Sequence, residues 1–541
     1  MTHENDIPEY ALQPARAPVV TPAEAIYHTE KIVYPAEVQT VTYEFEEDIL
    51  VPDIKPDMRD ILLMDAACDI APAEKKVVPK TDDLLNFTGS LTIQTIYGAE
   101  DGCEPVAITS KVPYKYQWSL NPQDEAEGVF GCKVRSLESM IVNERKFRIK
   151  VVLEFSAQLL CSRSFQFFDG LKSEELEMRH QAASLTCLEL VKKDETLIDE
   201  TFRCKDEDAV PEAVLKQDFV ITENYRQVTT EKVVINGFVF CSLLYTAENP
   251  EEPGQMGIHQ MSHRVEFTQF VPIEKEHRGK NWNSVKTSFS SQDLTVVIGS
   301  DEENPEDIHF RIRGSVRSRI ELYGSRQREI TVDAYHRDKS FACDFSKCRV
   351  TNFVGDAMAE TSVREIINLP EGVKASEAVY ASAQVLDHAC HCEKGRVAVS
   401  GVLSCCALWR DQNGVFAAAK AAPDFRGAVE LESAMTDQRA VCRPLVKNAW
   451  VEFINEKQIE VNVVLLLCVQ TCREEQIVMM ENPRFEEVVR EKEYPMVIVT
   501  MKQGQCLWDL AKRYRTTEEH LRIANCLEAE PEPGRRLLIV K

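Results

Sequence analysis

The chain has 541 residues, 44% of them hydrophobic and 28% charged, with a formal net charge of −25. That length exceeds a single core and implies about three to four domains. The acidic balance excludes a general nucleic-acid binder, because phosphate contacts need a surplus of Lys and Arg, and it argues against adsorption to anionic membranes.

The 18 cysteines lie in apolar, strand-like runs such as Val239-Phe240-Cys241 and Leu467-Cys468-Val469. Free cysteine behaves as a small buried hydrophobe, so a reducing cytosol with free thiols is the simplest setting. The start, Met1 to Asp6, is acidic and no apolar core follows it, so no signal peptide is expected. The most apolar stretch, Val461 to Val469, is interrupted by Asn462 and suits a buried strand, not a membrane span.

Residues 1–35 carry Pro8, Pro14, Pro18, Pro22 and Pro35 without periodicity and read as an extended or disordered arm. Three weakly similar stretches follow, expected at residues 36–170, 171–335 and 336–480. Each starts with a lead-in that closes on a short apolar run: Asp48 to Asp57 with Ile61-Leu62, Asp206 to Pro211 with Val214-Leu215, and Glu360 to Glu365 with Ile366-Ile367. Each then has a strand that runs eight residues from a glycine to an aromatic: Gly89 to Tyr97, Gly237 to Tyr245, Gly401 to Trp409. Glycine inside such a strand signals a bulge or a close backbone approach.

A loop and a shorter strand come next, at Thr109 to Trp118, His263 to Val271 and Phe416 to Leu431. Paired alternating strands close each stretch. Polar turns at Asn143 to Lys146 and Asn455 to Lys457 mark two of the hairpins, and a longer insert, Gly299 to Asp307, marks the third. The aromatics are 148 and 164 residues apart, which rules out a short-period solenoid and favours tandem β-rich modules. One continuous elongated β-structure is the alternative. Ser173 to Lys193 is the best helical candidate between modules.

Residues 494–541 differ in character. Val497 to Val499 reads as a strand. Leu507, Leu510, Ala511 and Tyr514 then have the spacing of an amphipathic helix. Thr517, with Glu518-Glu519 after it, caps a second helix that ends near Asn525, and Leu537 to Val540 is a last strand.

The run Gly504-Gln505-Cys506-Leu507-Trp508-Asp509-Leu510-Ala511-Lys512-Arg513-Tyr514, with Thr517, Leu521, Asn525, Pro533-Gly534 and Leu537 to Ile539, resembles the LysM motif. The resemblance implies a β-α-α-β unit that binds N-acetylglucosamine glycans. It places the groove between Gln505-Cys506-Leu507 and Asn525-Cys526-Leu527. Gln505-Cys506 stands where the family commonly has Asp-Thr, and Arg515 where it commonly has Gly. The lost hydroxyl makes the groove more apolar and favours a protein partner over a sugar. Trp508 reads as core at helical spacing from Ala511 or as a partly exposed contact beside Leu507. The second is favoured, because interfaces use Trp anchors.

The lead-in Val51 to Asp57 with Ile61-Leu62, and the Gly89 to Tyr97 strand, resemble a domain family of unknown function in clostridial spore-coat proteins. Such domains with one terminal LysM module are similar to the clostridial coat morphogenetic proteins. That resemblance implies a non-enzymatic scaffold in the mother-cell cytosol at the forespore surface. It implies that the LysM module docks onto the spore coat morphogenetic ATPase. Peptidoglycan binding is the alternative.

No catalytic constellation stands out. The chain has no Gly-x-x-x-x-Gly-Lys loop, Gly-x-Ser-x-Gly elbow or His-Glu-x-x-His motif. Cys343 and Cys348 are spaced C-x4-C with no second pair. His388, Cys390 and Cys392 would share one strand face, but a hairpin across Glu393 to Arg396 would place Cys405 opposite Gln384, too far to complete a zinc site. No metal or cofactor is expected.

Overall fold

The computed structural model describes residues 20–540 apart from 23, 36–37, 71–74, 78–83, 101–103, 120–124, 173–174, 204–209, 249–255, 279, 281, 301–307 and 487–494. The chain is mainly β. The first 172 residues supply β1 (Val20–Pro22), β2 (Ala25–Pro35), β3 (Gln39–Leu50), β4 (Met58–Ile70), β5 (Lys75–Val77), β6 (Leu84–Ala99), β7 (Val106–Ser119), β8 (Glu125–Asn143) and β9 (Lys146–Leu171). Next come β10 (Glu177–Phe202), β11 (Val210–Val228), β12 (Lys232–Glu248), β13 (Met256–Pro272), β14 (Trp282–Ser300) and β15 (Ile308–Tyr335). A third group is β16 (Ser340–Asn368), β17 (Ala375–Glu393), β18 (Arg396–Asp411), β19 (Phe416–Ala421), β20 (Asp424–Glu430), β21 (Arg439–Asn455) and β22 (Gln458–Glu486). The chain ends with β23 (Met496–Thr500), α1 (Leu507–Tyr514), α2 (Glu518–Asn525) and β24 (Arg536–Val540).

The glycine-to-aromatic stretches are the middle strands of three antiparallel sheets: β4-β6-β7, β11-β12-β13, and β17-β18 with β19 and β20 sharing the far edge of β18. The glycines sit where the backbone needs them. A Cβ on Gly237 would come 2.7 Å from the Thr222 carbonyl, and one on Gly401 would strike the Asp387 carbonyl. Both glycines lie next to β-bulges in the partner strand.

A second kind of sheet is centred on a very long strand. β9 lies between β8 on one side and β2 and β3 on the other, β15 between β10 and β14, and β22 between β16 and β21, with β1 added at its end. The cause is visible in the side chains. Phe147, Ile149, Val151, Leu153, Phe155 and Ala157 are all 0% exposed, a period-two face packed on the β4-β6-β7 sheet. Ile459, Val461, Val463, Leu465 and Leu467 repeat this on β22.

The hairpin turns also hold the lead-ins. Val51 N–H and Met58 N–H donate to the carbonyls of Arg145 and Glu144, and Leu369 N–H and Ala375 N–H donate to those of Lys457 and Glu456. The Arg145 guanidinium adds bonds to the carbonyls of Lys55 (2.7 Å) and Pro52 (2.8 Å). Tyr97 O–H reaches the Pro56 carbonyl at 2.8 Å. This is why the Val51 to Asp57 motif occurs as a unit with the Gly89 to Tyr97 strand.

Several apolar clusters among the described residues draw on all three groups of strands, two of them large. One combines Leu62, Leu63 and Ile96 with Leu244 and Ile258 and with Val379, Tyr380 and Leu408. The other combines Ile32, Phe165 and Phe167 with Leu185 and Ile330 and with Ile477 and Met479.

Three expectations need correction. Ser173 to Lys193 is not helical. From Glu177 on it belongs to β10, which pairs with β15 from Glu177–Tyr335 to Phe202–Phe310. Ala183, Leu185 and Cys187 bury a period-two face there, and pairing across the chain overrides local helix propensity. Residues 25–35 of the expected disordered arm form β2, paired with β9, with Ile32 only 2% exposed. Residues 1–19 lie outside the described residues. The hairpin at Glu393 to Arg396 does pair Cys392 with Val397 and Cys390 with Val399, but a bulge between Val385 and Asp387 moves Cys405 opposite Ala383 instead of Gln384.

Candidate functional site

The C-terminal unit is a two-stranded antiparallel sheet, β23 with β24, joined by the two short helices. Its core is Met501, Leu507, Leu510, Ala511, Leu521, Leu537 and Ile539, so Leu507 is buried and presents no side chain to a groove. Cys506 precedes α1. Its N–H (2.9 Å) and its thiol (3.2 Å) both donate to the Asp509 carboxylate. These bonds hold Asp509 below the usual carboxylate range, with the Cys506 N–H the main cause. Burial, with the bond to Asp509, pushes the Cys506 thiol up.

The next helix N–H, that of Leu507, donates to the Glu530 carboxylate at 2.6 Å, and Arg522 holds the other Glu530 oxygen at 3.0 Å. An acid at this helix end complements the helix dipole, and it closes the first loop against the segment after α2. Thr517 caps α2 by accepting from His520 N–H at 3.0 Å. Arg515 and Cys526 end the two helices with φ of 56° and 48°, in the left-handed region that favours glycine.

Asn525 is structural. Its amide donates to the carbonyls of Leu521 (2.9 Å) and Leu538 (2.7 Å), and its oxygen accepts from Leu538 N–H (2.6 Å), which ties α2 to β24. Gln505 is half-buried and accepts from Lys502 N–H at 3.3 Å. Cys526 is exposed, and half-buried Leu527 packs on the unit's core beside Cys506. Of the seven expected groove residues, Gln505, Cys506, Cys526 and Leu527 thus keep surface at the two loops.

Trp508 differs from its expectation as a partly exposed contact. It is 7% exposed, stacked edge-on against Tyr335 at 5.0 Å, and its indole N–H donates to Asp333 at 2.8 Å. Lys512 meets the same carboxylate at 2.5 Å, and Tyr335 O–H donates to the Thr516 carbonyl at 2.6 Å. Trp508 is therefore the anchor of α1 on the end of β15. Sequence reading missed Asp333 and Tyr335 because they lie about 175 residues earlier in the chain, and no local pattern links them.

In the His388 cluster, the ring Nε2 bonds the Cys442 carbonyl at 2.9 Å and the Cys390 thiol donates to the Ala440 carbonyl at 3.4 Å. Both side chains thus serve strand packing. Among the described residues, no group of three or more His, Cys, Asp or Glu side chains is placed to hold a metal. Among them too, no helix is long and apolar enough to cross a membrane.

The family model for the SipL, SPOCS domain matches residues 212–298. That stretch runs from β11 into β14 and contains the Gly237 to Tyr245 strand. The match supports a sporulation-related role and a likeness to SipL-type spore-coat proteins. It falls on the second of the three groups of strands, whereas the first carries the motif that the sequence reading rested on. No curated protein and no solved structure matches the chain.

Proposed function

We propose that this protein is a non-enzymatic spore-coat assembly scaffold with three related β-rich repeats and a C-terminal LysM unit that docks onto the coat morphogenetic ATPase at the forespore surface. The observation that carries the reading is the SipL, SPOCS match at residues 212–298. The sheet order supports it, since a meander followed by a sheet on a very long strand occurs in each group. The strand-helix-helix-strand order of residues 496–540 is consistent with the LysM part. With Trp508 engaged against Asp333 and Tyr335, docking falls to the loops that hold Gln505, Cys506, Cys526 and Leu527.

The test offers the full chain to purified coat ATPase and, separately, to peptidoglycan. The expected result is capture of the ATPase, weakened about tenfold by Cys526→Arg, the loss typical of one disturbed interface contact. Capture of peptidoglycan alone would replace the scaffold reading with the glycan-binding one.

A further inference from the structure

Cys68 of β4 and Cys132 of β8 meet where the chain crosses between the two sheets of the first group. β4 is the edge of the β4-β6-β7 sheet, and the next strand, β5, joins the other sheet by pairing with β8. Here Cα atoms of β4 and β8 come within 8 Å of each other, closer than the roughly 10 Å between stacked sheets. Both cysteines are half-buried and pack on the core that holds Leu91 and Phe155, their cross-strand neighbours.

The two thiols are hydrogen-bonded to one another. The bond from Cys68, with a further one from the Tyr114 O–H, holds the Cys132 thiol below its ordinary value against the effect of burial. The same bond, with burial, pushes the Cys68 thiol up. Cys132 is therefore the sulfur that ionises first, and the thiolate is the nucleophile in thiol–disulfide exchange. Access comes from a cavity of about 410 Å³ between the first and third groups, which both cysteines line together with Val134, Gln384 and Val385. The Gln384 amide donates to the Val134 carbonyl there at 3.3 Å.

Nothing in the sheet pattern requires this pair. The register position of Cys68, opposite the second residue after the strand glycine, holds Ile221 in the second group and Val385 in the third. Cys241 and Cys405 show the contrasting, inert environment: both are 0% exposed, and burial pushes their thiols up.

We propose that Cys68 and Cys132 form a reversible dithiol–disulfide site, oxidised by a small disulfide of the glutathione type, that clamps the two sheets of the first group together. The Cys132 thiolate attacks one sulfur of the small disulfide, giving a mixed disulfide and one small thiolate. The Cys68 thiol then gives up its proton and attacks the Cys132 sulfur, which forms the protein disulfide and releases the second small thiolate. Two protein thiols are oxidised, one small disulfide is reduced to two thiols, and the protons from Cys132 and Cys68 end on those thiols. A half-exposed disulfide is labile, which suits a transient link in the reducing setting expected from the free cysteines. The site does not depend on the docking role of the C-terminal unit.

The test treats the reduced full chain with oxidised glutathione at neutral pH, blocks the remaining thiols by alkylation and maps disulfides by non-reducing peptide mass spectrometry. The expected product is an intrachain Cys68–Cys132 link, formed more than about tenfold faster than any link to Cys241 or Cys405 and reversed by dithiothreitol. Cys68→Ser should leave Cys132 trapped as the mixed disulfide with glutathione, and Cys132→Ser should leave Cys68 unmodified. An unaltered chain in which both thiols stay fully open to alkylation after oxidation, or in which either one links to another cysteine instead, would overturn the proposal, whether or not the variants fold.

Discussion

Two of the junctions where the three groups of strands meet are built from different chemistry. Around Phe165, Phe167, Leu185, Ile330, Ile477 and Met479 the contact is apolar, and the buried carboxylate beside it, Glu30, is paired with arginines that keep contact with water. There Glu30 of β2 takes Arg326 at 3.0 Å and Arg328 at 2.6 Å, both on β15. Around Leu62, Leu244 and Tyr380 a charge lies inside. Lys216 is 2% exposed and meets Asp65 from the first group at 3.1 Å as well as Asp218. Tyr380 from the third group donates to Asp218 at 3.2 Å. Burial pulls the Lys216 amine down, but Tyr380, Asp218 and Asp65 outweigh it and hold the amine above its ordinary value. An apolar junction tolerates any arrangement that fills space, whereas a buried cation demands particular partners. We therefore expect the first to supply most of the stability and the second to select one mutual placement.

Three substitutions sharpen or break this contrast. The largest effect is expected from Phe167→Ala in the apolar junction, a loss of about 3–5 kcal/mol by the combined transfer and cavity cost, read from the denaturation midpoint. Lys216→Met should cost about 3 kcal/mol, near the low end for removing one partner of a buried pair, because Asp65 and Asp218 keep contact with water. A neutral result for Lys216→Met would mean that apolar packing alone holds this junction too.

An effect no larger than that of Lys216→Met, up to about 3 kcal/mol at neutral pH, is expected from Glu30→Gln, and its pH dependence is its signature. The bond from His28, with Arg328 and Arg326, lowers the Glu30 carboxyl from 4.5 to about 2. A folded-state value below the unfolded one stabilises above the unfolded value and fades as the acid protonates. The unaltered chain should thus lose up to about 3 kcal/mol as pH falls from about 4.5 to about 2. Glu30→Gln should flatten that part of the stability curve. An unchanged acid limb would show that Glu30 is not what couples β2 to β15.

Legibility varied with the range of the interaction involved. The hairpins at Asn143 to Lys146 and at Asn455 to Gln458 were readable because turn chemistry and alternation act within a few residues. The same holds for the α1 and α2 spans and the Thr517 cap. The β10 strand was not readable, because its partner β15 lies more than 100 residues on and overrides the local pattern. A one-residue bulge near Val385 was enough to shift the expected partner of Cys405.

At the candidate site, Gln505, Cys506, Cys526 and Leu527 sit on the two expected loops, but the role of Trp508 was misread. Helical spacing marks it as amphipathic without saying which surface it meets, and Asp333 and Tyr335 decide that from another part of the chain.

The sequence by itself determined the glycine-to-aromatic strands, where the tight turns fall and how the C-terminal helices start, because these depend on propensity, alternation and capping within a turn or two. Only the tertiary structure decided that β2 joins the sheet of β9, that Lys216 is buried among three groups of strands, and that Trp508 faces inward. Those outcomes depend on which surfaces meet across hundreds of residues, and burial and charge pairing there are properties of the meeting, not of either surface alone.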